Sequence, residues 1–256
     1  MGKIHLLFCK EELAEHKLPD KVVIVLDILL ATSTIVTVLK HGAPAVIPVL
    51  NAEEAKQKAQ AQAAGASLLA GEYKGEPLEG FLYPGPVFLK DKVSGKQVIL
   101  STTNGTVAIR KSSSAQKVYI GALLNGAHLA QTVVNNHREE TILIVCSGSA
   151  GAFNLEDFYG AGFIINALLQ YGSENWELTD AAQAACLFYE SRKGQAREIL
   201  KRSRVGRMLA RHGFDADVCY AAQENVTSIV PCLTSQGTIR VVEPSVMGRM
   251  SKQTKD

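Results

Sequence analysis

Four carboxylates close or follow apolar, β-branched runs in this sequence. Asp27 ends VVIVLD, Glu72 ends SLLAGE, and Glu156 and Asp157 follow TILIVCSG through SAGAFNLED. Carboxylates converging from several strand ends would make a hard, oxygen-rich site for Mg²⁺, which takes one or two carboxylates and keeps several waters. One carboxylate at a strand end is ordinarily a cap or a surface group, so the metal reading rests on convergence. Hydroxyls accompany the acids: Thr32, Ser33 and Thr34 follow Asp27, and STTNGT (101–106) sets Thr102, Thr103, Asn104, Gly105 and Thr106 before the helical TVAIRK. Such a turn can offer N–H and O–H donors to phosphate oxygens, or serve as an ordinary Asn-Gly turn capping a helix. The first segment lacks a cation, and Leu30 stands where a positive charge would help to hold an anion.

Several familiar phosphatase chemistries fail on these residues. An aspartyl-phosphate enzyme needs a second carboxylate two residues after its nucleophile, and Leu29 follows Asp27 at that spacing. A cysteine-phosphatase loop needs Arg six residues after Cys146, where Ala152 stands. RHGFDAD (211–217) resembles the Arg-His-Gly opening of histidine phosphatases but lacks their further Arg, and neither a P-loop nor G-x-G-x-x-G is present.

The elements that must position these groups are legible as periodic runs. VVIVLD (22–27), AVIPVL (45–50), SLLAGE (67–72), QVILSTT (97–103), KVYIGA (117–122) and TILIVCSG (141–148) read as strands buried on both faces. With helical patterns between them they predict an α/β fold with a mostly parallel, mixed central sheet, whose carboxyl ends are the edge where ligands bind. Asn51 and Glu54 form a capping signature for a helix that Gly65 would stop, and 155–172 reads as an apolar helix. Residues 72–88, rich in Gly and Pro, read as a long loop, and the six Lys or Arg of SRKGQAREILKRSR (191–204) as a solvated helical face.

The 256 residues fit a single domain over 1–245, with a sub-lobe boundary near 172–180 and a loose tail at 246–256. Lys and Arg total 27 against 25 Asp and Glu, which gives no reason to expect nucleic acid or an anionic membrane as partner. Five cysteines without a C-x-x-C pair, and no run of roughly 18 uninterrupted apolar residues, suggest a cytoplasmic protein. A homodimer is compatible with these features.

Set side by side, VLDILLATSTIVTVLKHGAPAVIPV, LLAGE, STTNGTVAI, GALLNGAHLA, CSGSAGAFNLEDFYGAG and VGRMLARHGFDADVCYAAQENVTSIVP give the chain a resemblance to the 2-phosphosulfolactate phosphatase family over nearly its whole length. The resemblance implies a three-layer α/β/α fold and Mg²⁺-dependent hydrolysis of (2R)-O-phospho-3-sulfolactate to (2R)-3-sulfolactate and phosphate, in coenzyme M or sulfolactate formation. It places Asp27, Glu72, Glu156, Asp157 and the 102–106 turn at characteristic positions, from which we assign catalysis to Asp27, Asn104 and Glu156, and metal binding to Asp27, Glu72 and Asp157. It assigns substrate contacts to Thr32, Ser33, Thr34, Thr102, Thr103, Gly105 and Thr106, with Arg207 or Lys74 as the cation for the anionic substrate. Two loops depart from the family pattern. Leu30 replaces an Arg, and GFLYPGPVF (80–88) lacks an Asp and an Asn-Ser pair. These losses leave room for a phosphatase of another small phospho-acid, or for a catalytically weak relative that binds small anions.

Overall fold

The computed structural model describes residues 2–172 and 176–242. Eleven strands form one sheet: β1 (Gly2–Leu7), β2 (Lys21–Leu26), β3 (Val46–Val49), β4 (Ser67–Tyr73), β5 (Glu76–Pro77), β6 (Gln97–Ser101), β7 (Lys117–Gly121), β8 (Thr141–Cys146), β9 (Trp176–Leu178), β10 (Pro231–Leu233) and β11 (Ile239–Val241). Their spatial order is β5-β4-β6-β3-β11-β10-β7-β2-β8-β1-β9. The six expected strands are all present, within two parallel groups, β4-β6-β3 and β7-β2-β8-β1-β9. The short antiparallel pair β10 and β11 joins the groups, touching β7 through Cys232 and Tyr119 and β3 through Ile239 and Val46. The fold is therefore α/β with a mostly parallel, mixed sheet.

The sheet is covered on both faces because its central strands β2, β7 and β8 are buried at every position after the first. Val22, Ile24 and Leu26 of β2 enter one core with α5 (Gly126–Asn136), α6 (Leu155–Gly172) and α7 (Asp180–Ser191). Val23 and Val25 enter a second core with α1 (Ala31–Lys40) and α4 (Gly105–Lys111). Period-two alternation sends neighbouring residues to opposite faces, and each fully buried Val, Ile or Leu contributes about 1.5–3 kcal/mol. Among the described residues no helix is long and apolar enough to cross a membrane.

Smaller expectations are resolved locally. In α2 (Ala52–Gln60) the Glu54 amide donates to Asn51 Oδ1 at 2.9 Å, and the helix ends at Gln60, before Gly65. The 72–88 loop contains the two-residue β5 and runs into the one-turn α3 (Pro86–Leu89). The basic stretch lies across α7, α8 (Ala196–Arg202) and the start of α9 (Arg204–Arg211), with α10 (Asp215–Ala221) following. Strand β9 near the expected sub-lobe boundary pairs with β1 in the same sheet. The expected tail, 246–256, lies outside the described residues.

Candidate active site

A cavity of about 550 Å³ opens at the carboxyl edge of the parallel strands. Lys10 comes from the turn after β1, Asp27 and Leu30 from the β2–α1 connection, Glu72 from the end of β4, and Thr102, Thr103 and Asn104 from the β6–α4 turn. Residues of α9 complete the lining. This is the edge at which open parallel sheets bind ligands, since each strand there passes into a loop that can carry chemistry.

Asp27 lines the cavity and is buried. Burial, then the negative charges of Glu72 and Glu156, push its pKa up from 3.8 to about 7, while the Ala31 amide and Lys10 pull it down. A carboxyl that titrates near neutrality can take up and return a proton during turnover. Gly105 makes the arrangement sterically feasible, because a Cβ there would lie 2.4 Å from Ala31 Cβ and 2.6 Å from Asp27 Oδ2. The STTNGT glycine thus lets the start of α4 pass directly over the carboxylate.

Glu72 joins two loops. It accepts from the Thr103 amide at 2.6 Å, the Gly75 amide at 2.7 Å and the Thr103 hydroxyl at 3.1 Å. Thr103 Oγ1 in turn accepts from the Lys74 amide at 2.8 Å. Several of the donors expected for phosphate are therefore committed to this latch. Thr102 and Thr106 are likewise paired: the Thr102 amide donates to Thr106 Oγ1 at 3.0 Å, and the Thr106 amide to Thr102 Oγ1 at 3.1 Å.

The cation missing from the Asp27 segment comes from elsewhere. Lys10, buried, donates through Nζ to Asn104 Oδ1 at 2.9 Å and pairs with Glu11 at 2.9 Å. Lys74 and Arg204 also line the cavity, Arg204 reaching Asn154 Oδ1 at 3.4 Å and Ser149 O at 3.5 Å. Arg207, expected to touch substrate, is instead exposed; it donates to the Arg202 carbonyl and does not line the cavity. Arg204 and Arg207 stand three positions apart on α9, both exposed, and it is Arg204 at the helix start whose side chain lines the cavity. The basic stretch is therefore not wholly a solvated face.

The three hydroxyls after Asp27 also have other work. Thr32 Oγ1 donates to Asp27 O at 2.9 Å, Ser33 Oγ to Ile28 O at 2.9 Å and Thr34 Oγ1 to Pro84 O at 2.6 Å. All three are fully buried and stay clear of the cavity wall. They satisfy carbonyls at a strand-to-helix turn, as short hydroxyl side chains do. Ser33→Ala should cost about 1–3 kcal/mol by stranding the Ile28 carbonyl, with KM for any substrate unchanged; chemical denaturation and steady-state kinetics check both halves.

Asp157 and Glu156 begin α6 with opposite bonding. Asp157 Oδ1 accepts from the Ile28 amide at 2.9 Å and Oδ2 from the Gly148 amide at 3.3 Å, so it clamps the ends of β2 and β8 together and does not line the cavity. Burial, then the charge of Asp27, pushes its pKa well up. Glu156 is almost fully buried and, among the described residues, neither carboxylate oxygen has a hydrogen-bond partner. Burial raises its pKa; the nearby Ser203 hydroxyl acts against that but donates to Leu200 O at 2.8 Å, leaving Glu156 unsatisfied. Cys146, at the end of β8, is a buried thiol with its pKa pushed well up by burial, as befits a strand residue.

These groups are chemically suited to a hard cation. Burial, then the charges of Glu72 and Glu156, raises the pKa of Asp27; Asp27 and Glu72 line the cavity, and Glu156 does not. Among the described residues no three His, Cys, Asp or Glu side chains form a ready-made metal cage. Mg²⁺ does not require one, since it is commonly bound by one or two carboxylates together with substrate phosphate and water.

Comparison with known proteins covers most of this architecture. The family model for 2-phosphosulpholactate phosphatase matches residues 7–236. A Clostridium beijerinckii protein named "Probable 2-phosphosulfolactate phosphatase" is 35% identical over 231 residues, covering 90% of this chain and 95% of that one. Proteins of the same name from Clostridium perfringens strain SM101 (36% over 248 residues, 95% and 98% covered) and Thermotoga maritima (38% over 214 residues, 83% and 88% covered) align similarly. On this evidence the chain belongs to the 2-phosphosulfolactate phosphatase family.

Proposed function

We propose that the protein is an Mg²⁺-dependent phosphatase that hydrolyses (2R)-O-phospho-3-sulfolactate to (2R)-3-sulfolactate and phosphate. The observation that carries this reading is the meeting of a near-neutral Asp27, the Glu72 latch and three cationic side chains in one cavity. Asp27 and Glu72 would hold the ion. Bound there, Mg²⁺ supplies charge neutralisation on the phosphoryl oxygens and makes water more acidic.

The chain's own groups account for the remaining requirements. Water adds to phosphorus as the ester P–O bond breaks. A free oxygen of Asp27 takes the proton released by that water, and the departing sulfolactate oxygen on the far side of phosphorus gains its proton from solvent and leaves as the hydroxyl. Lys10 and Asn104, already bonded to each other, face the phosphate, while Arg204 and Lys74 offset the carboxylate and sulfonate charges. Lys10 thereby stands in for the Arg that Leu30 replaces.

The test is phosphate release from racemic 2-phosphosulfolactate with Mg²⁺ and again with EDTA. Turnover that EDTA abolishes and Mg²⁺ restores is the expected result. Folded protein that releases phosphate from neither this ester nor a panel of small phospho-acids would overturn the reading, and EDTA-insensitive turnover would remove the metal from it.

A further inference from the structure

The cavity has a second character that the phosphate chemistry leaves unused. One wall is apolar, built from Leu29 and Leu30 after β2, Tyr83 of the 80–88 segment, and Val205, Met208 and Leu209 of α9. Leu29, Leu30, Tyr83, Val205 and Leu209 belong to one buried hydrophobic cluster, against which Met208 packs. The wall is thus an extension of the core, fixed before any ligand arrives. Tyr83 is held by a face-to-face stack on Phe214, with ring centres 3.8 Å apart and planes within 9°. Gly75, with φ at +90°, has no Cβ, and one placed there would meet Met208 Cε at 2.9 Å, so the β4–β5 turn closes directly onto the wall.

We propose that the same site also takes phosphate monoesters of 2-hydroxy acids whose third carbon carries an apolar or aromatic group. This inference rests on the phosphatase reading for the chemistry at phosphorus and adds the class of side chain accommodated. A three-carbon phospho-acid leaves much of 550 Å³ unfilled, and cavities of roughly 300–1,000 Å³ accept considerably larger ligands. Leu30 offers neither charge nor a hydrogen bond to a sulfonate placed against it, whereas an apolar group there leaves water for a preformed surface. Hydrolysis balances as before: water adds to phosphorus, the ester P–O bond breaks, and the departing oxygen gains a proton.

The experiment compares kcat/KM for racemic 2-O-phospho-3-phenyllactate and 2-O-phospholactate, with 2-phosphosulfolactate as the reference. Burial of the phenyl group should favour phenyllactate over lactate by roughly ten- to a hundredfold. Leu30→Arg should cut that preference at least several-fold, and Met208→Gln, on a partly exposed residue, provides the same reading if Leu30→Arg does not fold. A phenyl ester no better than phospholactate, or a preference unchanged in the folded variant, would overturn the proposal. Calorimetry with the non-hydrolysable phosphonate analogues separates it from the phosphatase reading. Tighter binding of the phenyl-bearing phosphonate without turnover of any ester would keep the apolar subsite and remove the hydrolase, while equal or weaker binding would remove the subsite as well.

Discussion

Asp27→Asn should lower kcat/KM by about two to four orders of magnitude, the range associated with loss of a proton-transfer group, and weaken Mg²⁺ binding measured by calorimetry. The same variant should be more stable than the parent in metal-free solution at high pH. Folding holds the Asp27 carboxyl at about 7 against an ordinary 3.8, so the folded protein binds this proton more tightly than the unfolded chain does. The associated stability is fully present below pH 3.8 and is lost as pH rises through 7, a total of about 4 kcal/mol. Asn imitates the protonated form and escapes that loss. Denaturation of the two proteins in EDTA at pH 4.5 and 8.5 should show an advantage for Asn that grows by roughly 2–4 kcal/mol between them. An advantage independent of pH would show that Asp27 does not carry the raised pKa, and undiminished Mg²⁺ affinity would exclude it from the metal shell.

Gly105→Ala should be nearly as damaging, though it removes no functional group. Its added methyl would lie 2.4 Å from Ala31 Cβ, and Ala31 has no rotamer through which to retreat. Asp27, the other neighbour, is fixed at a strand end. The start of α4 must therefore move outward, at a cost of about 1–3 kcal/mol for overpacking. Displacing Asn104 and Thr103 by an ångström or so should lower kcat by on the order of a hundredfold. Thermal denaturation with Mg²⁺ titration checks both effects. A variant with parental stability and kcat would mean that α4 accommodates the methyl without disturbing the site.

The fold was readable because its strands announce themselves. A central parallel strand is buried on both faces, so KVVIVL and TILIVC carry no polar interruption and need only their length to be recognised. Strand β1 escaped because GKIHLL alternates between buried and half-buried positions and contains Lys and His. The three-residue strands β9, β10 and β11 are too short for any periodic pattern to develop.

Asp27, Glu72 and the Thr102–Asn104 turn were legible for the same reason, being the residues on which readable strands end. Arg204 and Lys10 were not. Lys10 follows the missed strand, and Arg204 sits in a basic run where only the helix orientation distinguishes the cavity-lining Arg from its neighbours. The sequence assigns Glu156 a catalytic and Asp157 a metal-binding role, and does not reveal their opposite bonding. Adjacent acids look alike until one is seen to accept two amides and the other none.

The position of β1 carries a consequence for the life of the chain. Its two partners are β8 and β9, made of residues 141–146 and 176–178, so a segment synthesised before both of them waits unpaired through more than a hundred intervening residues. Lys10 rides at its end and reaches Asn104 only when that late pairing is complete. Synthesis from the N-terminus can assemble much of the sheet before β1 docks, but it cannot assemble the site. A nascent chain therefore acquires its binding capacity in one late step, and a polypeptide halted before β8 carries Asp27, Glu72 and Asn104 without the lysine positioned among them.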